Sequence, residues 1–280
     1  MKRVLALIAS HRKLGNCEIA AKEIFRHAAR PAELSLIRLS TLRISPCKAC
    51  YACLMPDRDC MLEDDMKFLI NALVSADACI LAAPVYCFGP AGILKMIVDR
   101  VLEFTRRLPE MAGKPCVVVV AAGVKELRGY TEMSAISAAR MLGLTVKDYA
   151  LMQGAAPGEI FKDESNLEAA RRLGRALLDT SYRRRRRKHE CPFCWSTTFT
   201  LNPGGTLTCA GCANELEAQS KNGSLLIRAM SGDESIITSS NAALEHFQWL
   251  VDKKQEFERE REELKKIRER YRDVGAWLKP

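Results

Sequence analysis

Eight of the chain's twelve cysteines fall into two sets of four, and each set has a spacing suited to holding metal. Cys47, Cys50 and Cys53 are each separated by two intervening residues, and Cys60 follows after six more. An iron-sulfur cubane needs four thiolates converging on four separate irons. Three cysteines at this spacing wrap one loop around three corners, and Cys60 is close enough to fold back onto the fourth. Structural zinc and a redox disulfide pair are the competing readings, and zinc sites more often join two separated Cys-x2-Cys knuckles. The second set has that pairing: Cys191 and Cys194, fourteen intervening residues, then Cys209 and Cys212. Two such knuckles close a tetrahedron around zinc, although rubredoxin-like mononuclear iron would accept the same spacing. Zinc is the expectation, and in a module of about 40 residues with little core it would supply much of the folding free energy. Of the remaining cysteines, Cys79 and Cys116 read as small core residues, whereas Cys17 and Cys87 fall in loops open to a ligand.

Two of those loops carry further chemistry. Ser10-His-Arg-Lys-Leu-Gly-Asn16-Cys17 lies between an apolar run and a helical pattern, where free N–H groups and the dipole favour phosphate. Gly15 permits a tight turn, Arg12 and Lys13 add charge, and Ser10 and Asn16 could donate to phosphate oxygens. The loop lacks both Gly-x-Gly-x-x-Gly and Walker signatures, so a monophosphate fits better than a dinucleotide or a nucleoside triphosphate. Pro84-Val85-Tyr86-Cys87-Phe88-Gly89 offers aromatic faces and backbone groups to a flat ring, with Lys95, Asp99 and Arg100 on the helix that follows. Gly123, after the fourth apolar run, would let such a ring approach closely. Core or subunit packing is the plainer reading of Tyr86 and Phe88.

The elements that must position these loops alternate. Strand-like runs at 3–9, 33–38, 78–83, 116–122 and 144–150 are separated by amphipathic stretches at 16–29, 63–75, 91–107, 131–142 and 165–178. That alternation predicts an α/β domain over 1–180, a doubly wound five-stranded parallel sheet with ligands at the strands' carboxyl ends. A basic linker over 181–190 precedes a small β module over 191–230, whose hairpin turns at Asn202-Pro-Gly-Gly205. From 241 to 280, Leu250, Phe257, Leu264, Tyr271 and Leu278 recur every seven residues, with Ile267 and Val274 between, predicting one long amphipathic helix. Trp249 and Trp277 would pack against a domain or a second subunit.

The net charge of +9 over 280 residues could suggest a nucleic-acid surface. Arg183–Lys188 alone carries six positive charges, and the rest of 181–280 is slightly acidic, so the excess in that part of the chain is one local run. It reads as a solvated linker or a docking strip for an acidic electron carrier, with nucleic acid as the rival. Without an export signal or a run long enough to cross a bilayer, the expectation is a cytoplasmic protein with no membrane partner. The four histidines, His11, His27, His189 and His246, have no metal-ligand spacing, there is no Ser-His-Asp signature, and no side chain stands out as a catalytic acid or base.

Residues 10–16, the Cys47–Cys60 cluster, and Pro84–Tyr86 through Lys95 to Asp99-Arg100 together resemble the iron-sulfur flavoproteins of the NADPH-dependent FMN reductase superfamily, over roughly residues 1–180. The resemblance implies a flavodoxin-like fold, FMN phosphate at 10–17, the isoalloxazine ring near 84–89, and a 4Fe-4S cluster on Cys47, Cys50, Cys53 and Cys60. It also implies a homodimer or larger assembly. Two departures stand out: His11 where the family usually has Pro, and Cys17 where it has Ser or Thr. The function so implied is electron transfer between an external carrier, ferredoxin-like or NAD(P)H, and an acceptor. The alternatives are an NAD(P)H-dependent FMN or quinone reductase, and a redox sensor that uses a zinc ribbon to bind nucleic acid.

Overall fold

The computed structural model describes residues 1–280 except 56, 57, 222, 234, 273 and 275–280. Strands β1 (Lys2–Ile8), β2 (Ala32–Arg38), β3 (Ala78–Tyr86), β5 (Pro115–Ala122) and β6 (Thr145–Gln153) pair in parallel in the order β2-β1-β3-β5-β6. The five expected strands are all present, in the flavodoxin-like arrangement. A short β4 (Gly89–Pro90) turns back antiparallel onto β3. The central strands read as continuous apolar runs because helices cover both faces. Within β1, Leu5 and Leu7 meet one layer and Val4, Ala6 and Ile8 the other, as the two-residue strand period requires. The first layer is α2 (Met66–Ser75), α3 (Gly92–Val98) and α5 (Thr131–Met141); the second is α1 (Asn16–Arg26) and α6 (Glu164–Leu178). Cys79 and Cys116 are buried core residues, as expected.

Strand order reverses between β1 and β3, so the loops leaving these two strands splay apart and open a crevice at their carboxyl ends. The helix expected over 91–107 is interrupted. After α3 the chain continues as a 3-10 turn over Val101–Arg107 and a short α4 (Leu108–Met111). Arg100, at the break, turns into the protein and pairs with Asp64 and Glu103.

A second, antiparallel sheet has the order β10-β9-β8-β7, built from β7 (Phe199–Leu201), β8 (Leu207–Cys209), β9 (Glu215–Lys221) and β10 (Ser224–Ala229). Its small core is the four cysteines with Leu216 and Ile227. Both cysteine knuckles rest on α5: Ser137 Oγ donates to Gly211 O (3.3 Å), and Arg140 donates to Phe193 O (3.2 Å) while its guanidinium covers Trp195.

The segment Arg183–Lys188 is not the solvated linker the composition suggested. It is non-helical, and its side chains alternate: Arg184 and Arg186 turn inward, while Arg183, Arg185, Arg187 and Lys188 face solvent. Arg184 binds Asp148 (2.9 Å) and Glu190 (2.7 Å), two carboxylates with fully buried side chains, and Arg186 donates to Glu190 O (2.7 Å). Two buried charges that cannot be left unpaired draw Arg184 in, while Arg186 is held by main-chain carbonyls.

The long C-terminal helix is two helices, α7 (Ser240–Arg259), capped by Ser239, and α8 (Arg261–Glu269). The break falls at Glu260, where Glu256/Glu260 and Glu258/Glu262 place like charges one turn apart. Phe257, Ile267, Tyr271 and Val274 of the stripe remain exposed, as does Trp249, which stacks on His246. Trp277 and Leu278 lie outside the described residues. Among those residues, no helix is long and apolar enough to cross a membrane.

Candidate active site

The first loop is folded by charge. Glu18 accepts from Leu14 N–H (2.9 Å), Lys22 (2.6 Å) and Arg38 (2.5 Å), and Arg38 also donates to the carbonyls of Ser10 and Arg12. Burial pushes the Glu18 carboxyl up, but the bonds from Lys22, Arg38 and Leu14 outweigh it and hold the pKa at about 2. Helix α1 opens from Gly15 with no side chain capping its first N–H groups. Arg12 and Lys13 are exposed beside that opening, a donor set that suits a phosphate.

Two residues of this loop are placed otherwise than the sequence suggested. Asn16 does not offer its side chain to a ligand: Nδ2 donates to Gly154 O (2.7 Å) and Oδ1 accepts from Gly158 N–H (3.0 Å), tying the loop after β1 to the loop after β6. Arg12 strengthens the tie by donating to Ala155 O (2.9 Å). Cys17 points into the core against the sheet, where burial pushes its thiol up to about 12, so it contributes at most its backbone N–H. Ser10 is buried, and its Oγ accepts from Arg12 N–H (3.3 Å).

Residues 84–90 form a tight hairpin that carries no Gly or Asn at its turn. Cys87 (φ 48°) and Phe88 (φ 65°) both adopt left-handed backbone, the conformation a two-residue hairpin turn requires. Each costs about 1–2 kcal/mol relative to relaxed backbone, strain of the kind found at ligand sites. The turn is held from β5's side: Tyr130 N–H donates to Phe88 O (3.0 Å), and Gly129 leaves no room for a side chain, since an added Cβ would lie 1.9 Å from Phe88 O. Tyr86, Cys87, Phe88 and Gly123 remain exposed at the mouth of the crevice, with Leu14, Val124, Leu127 and Tyr130 around them. Pro84 is buried and Val85 half-buried. Nothing local in the chain announces Gly129-Tyr130, whose role is a contact with Phe88 some forty residues earlier.

Cys47, Cys50, Cys53 and Cys60 line one cavity of about 160 Å³ together with Tyr51, Asp99, Arg100, Leu102 and Glu103. Left-handed backbone at Ala49 and Tyr51 brackets Cys50 and bends the chain around the cavity. The far part of the loop is strapped down by Arg106, which donates to the carbonyls of Met55 and Arg58 (2.6 Å to the latter). Burial, followed by the charges of Cys60 and Glu103, pushes the Cys53 thiol up to about 11. Such a thiol ionises readily only when a cation binds it, and the donor set, four sulfurs spread around a cavity, fits a cluster better than a single ion.

The second set is far tighter. The four sulfurs of Cys191, Cys194, Cys209 and Cys212 lie within 4.8 Å of one another, with Cys191–Cys212 at 3.6 Å and Cys194–Cys209 at 3.4 Å. A tetrahedron of ~2.3 Å zinc–sulfur bonds has edges of about 3.8 Å. All four are buried, and Asn214 Nδ2 donates to Cys212 Sγ (3.3 Å).

A parallel sheet with a phosphate-type loop after its first strand and an aromatic hairpin after its third defines a flavodoxin-like, nucleotide-cofactor-binding α/β protein. Residues 2–156 match the NADPH-dependent FMN reductase family, and the chain belongs to it. It is an FMN-dependent flavoprotein oxidoreductase. Two curated relatives are both described as iron-sulfur flavoproteins. One, from Archaeoglobus fulgidus, is 31% identical over 185 residues, covering 63% of this chain and 79% of its own. The other, from Methanosarcina thermophila, is 35% identical over 109 residues, covering 38% and 55%. Among solved structures, one titled "flavone reductase" superposes over 99% of both chains with a TM-score of 0.77 at 18% identity, so the whole arrangement, second sheet and terminal helices included, has a counterpart of the same fold.

Proposed function

We propose that this oxidoreductase moves electrons between an external carrier, ferredoxin-like or NAD(P)H, and an acceptor through FMN and a 4Fe-4S cluster. Cys47, Cys50, Cys53 and Cys60 hold the cluster, and Cys191, Cys194, Cys209 and Cys212 hold a structural zinc. The observation that carries this reading is that the first four cysteines line one cavity, at the end of the helix that leads away from the aromatic hairpin. Bound FMN exchanges one or two electrons and a cluster one, so the pair connects hydride chemistry to single-electron chemistry.

The chain's own residues then have distinct tasks. The start of α1, with Arg12 and Lys13, binds the FMN phosphate, and Ser10 and Gly15 shape that turn. Asn16 holds the turn against the loop after β6 rather than touching the ligand. The strained turn at Cys87 and Phe88, with Pro84, Val85, Tyr86 and Gly89, presents backbone groups to the ring edge, while Gly123 admits the ring. Apolar side chains at Leu14, Phe88, Val124 and Leu127 exclude water from the crevice when a second subunit covers them, so the working unit is a homodimer or larger. Twelve cysteines, eight of them at metal-type spacing, suit a reducing, cytoplasmic compartment. The family match favours NADPH as one donor.

Protein purified without oxygen is expected to carry about four irons, one zinc and one FMN per chain. Cys50→Ser should lose the iron and keep FMN and zinc. Wild-type protein prepared this way with zinc in place of iron at the first set would overturn the reading.

A further inference from the structure

Arg100 is the least expected residue beside the first four cysteines. It is a long cation whose side chain is 1% exposed, and every nitrogen of its guanidinium is engaged. Nε binds Glu103, Nη1 binds Asp64 and donates to Ser45 O (3.1 Å), and Nη2 points at Cys60 Sγ (3.8 Å). Asp64 is itself fixed, accepting from the backbone N–H groups of Ser45 (2.7 Å) and Met66 (3.1 Å). The guanidinium is therefore held on two sides by carboxylates, with its third edge against a cluster-ligand sulfur and no freedom to turn away. A simple buried ion pair needs no such third edge, and Arg100 stands where α3 gives way to the 3-10 turn.

We propose that Arg100 is a positioning and tuning residue for the iron-sulfur cluster, raising its reduction potential through a charge-assisted bond to Cys60 Sγ, and that Glu103 opposes it. The inference rests on the reading that the first four cysteines hold a cluster. Reduction adds one electron to the cluster and makes its sulfurs more negative, so a fixed cation at one sulfur favours the reduced state. Glu103 lines the same cavity with the opposite charge. Replacing each residue should therefore shift the potential in opposite directions, which a general loss of packing would not do.

The test is an anaerobic redox titration with the cluster's electron paramagnetic resonance signal as readout, on wild-type protein, Arg100→Lys, Arg100→Gln and Glu103→Gln, with iron and labile sulfide measured on each. Arg100→Gln should lower the one-electron reduction constant about tenfold, ~59 mV toward negative. Arg100→Lys should recover part of that shift, and Glu103→Gln should move the potential the other way. If Arg100→Gln fails to fold because Asp64 is left unpaired, Glu103→Gln and Arg100→Lys still decide the matter. Wild-type protein with a full cluster and variants whose potentials match it would overturn the role of Arg100 alone. Wild-type protein without iron or sulfide would overturn the cluster reading and this inference with it.

Discussion

Glu190 should be the strongest single tie between the two sheets. Its carboxylate accepts from Tyr149 OH (2.8 Å) on β6, from Arg184 at 2.8 and 2.7 Å, and from Arg187 N–H (2.9 Å), one residue before the first zinc-type knuckle. Burial pushes this carboxyl up, but the Arg184, Arg187 and Tyr149 bonds win and hold it below its ordinary range, so it stays charged. Removing one partner of a buried pair costs about 3–5 kcal/mol. Arg184 keeps Asp148 as a second partner, which places Glu190→Ala near the lower end, at about 3 kcal/mol. Trp195 reports on this contact directly, since Arg140 (5.2 Å) and Arg184 (4.9 Å) both lie over its ring. In a Trp249→Phe, Trp277→Phe background, Trp195 fluorescence during urea unfolding should show that loss, and a double-mutant cycle with Arg184→Ala should give about 2 kcal/mol of coupling. A Glu190→Ala protein within ~0.5 kcal/mol of its parent, or strict additivity in the cycle, would refute the assigned role.

Gly129→Ala places a Cβ on Phe88 O at a left-handed position (φ 52°); it should cost at least ~1–2 kcal/mol and weaken FMN binding tenfold or more, measured by flavin fluorescence titration. Cys209→Ser, or a chelator that strips the zinc proposed for the second cysteine set, should take away a binding energy of order 10 kcal/mol; circular dichroism should lose the β7–β10 signal while FMN remains bound. Glu18, with its pKa lowered to about 2 from an ordinary 4.5, contributes stability that is fully present above about pH 4.5 and is lost as the pH falls toward 2. Glu18→Gln should therefore be less stable than wild type at neutral pH and converge with it in acid unfolding titrations.

The parallel sheet was legible because strands buried on both faces must be apolar throughout, and Val117–Val120 leaves no other reading. The grouping of Cys191, Cys194, Cys209 and Cys212 was legible because two short knuckles joined by a hairpin bring four sulfurs together through local spacing. What escaped the sequence depends on partners distant in the chain. The turn at Cys87 and Phe88 has no glycine to announce it and is held by Gly129 and Tyr130. The break at Arg100 answers Asp64, thirty-six residues earlier. Arg184 looks no different from its neighbours in a run of arginines, and only Asp148 and Glu190 decide that it points inward. Asn16 sits in the polar loop after β1 as its sequence neighbours suggest, yet its amide is spent on the loop after β6.

Strand β6 ends the large sheet, paired on one flank only, and such a flank is an open template for another chain. Here it is guarded: Arg172 covers the carbonyl of Tyr149 (3.4 Å), and Tyr182, Arg184 and Glu190 close over Asp148 and Tyr149. The cysteine-rich appendage thus doubles as a stopper for the flavin domain's seam. A chain cut after residue 180 would lose that plug and leave Asp148 short of two partners, and light scattering should find it forming aggregates larger than the assembly of the 280-residue chain.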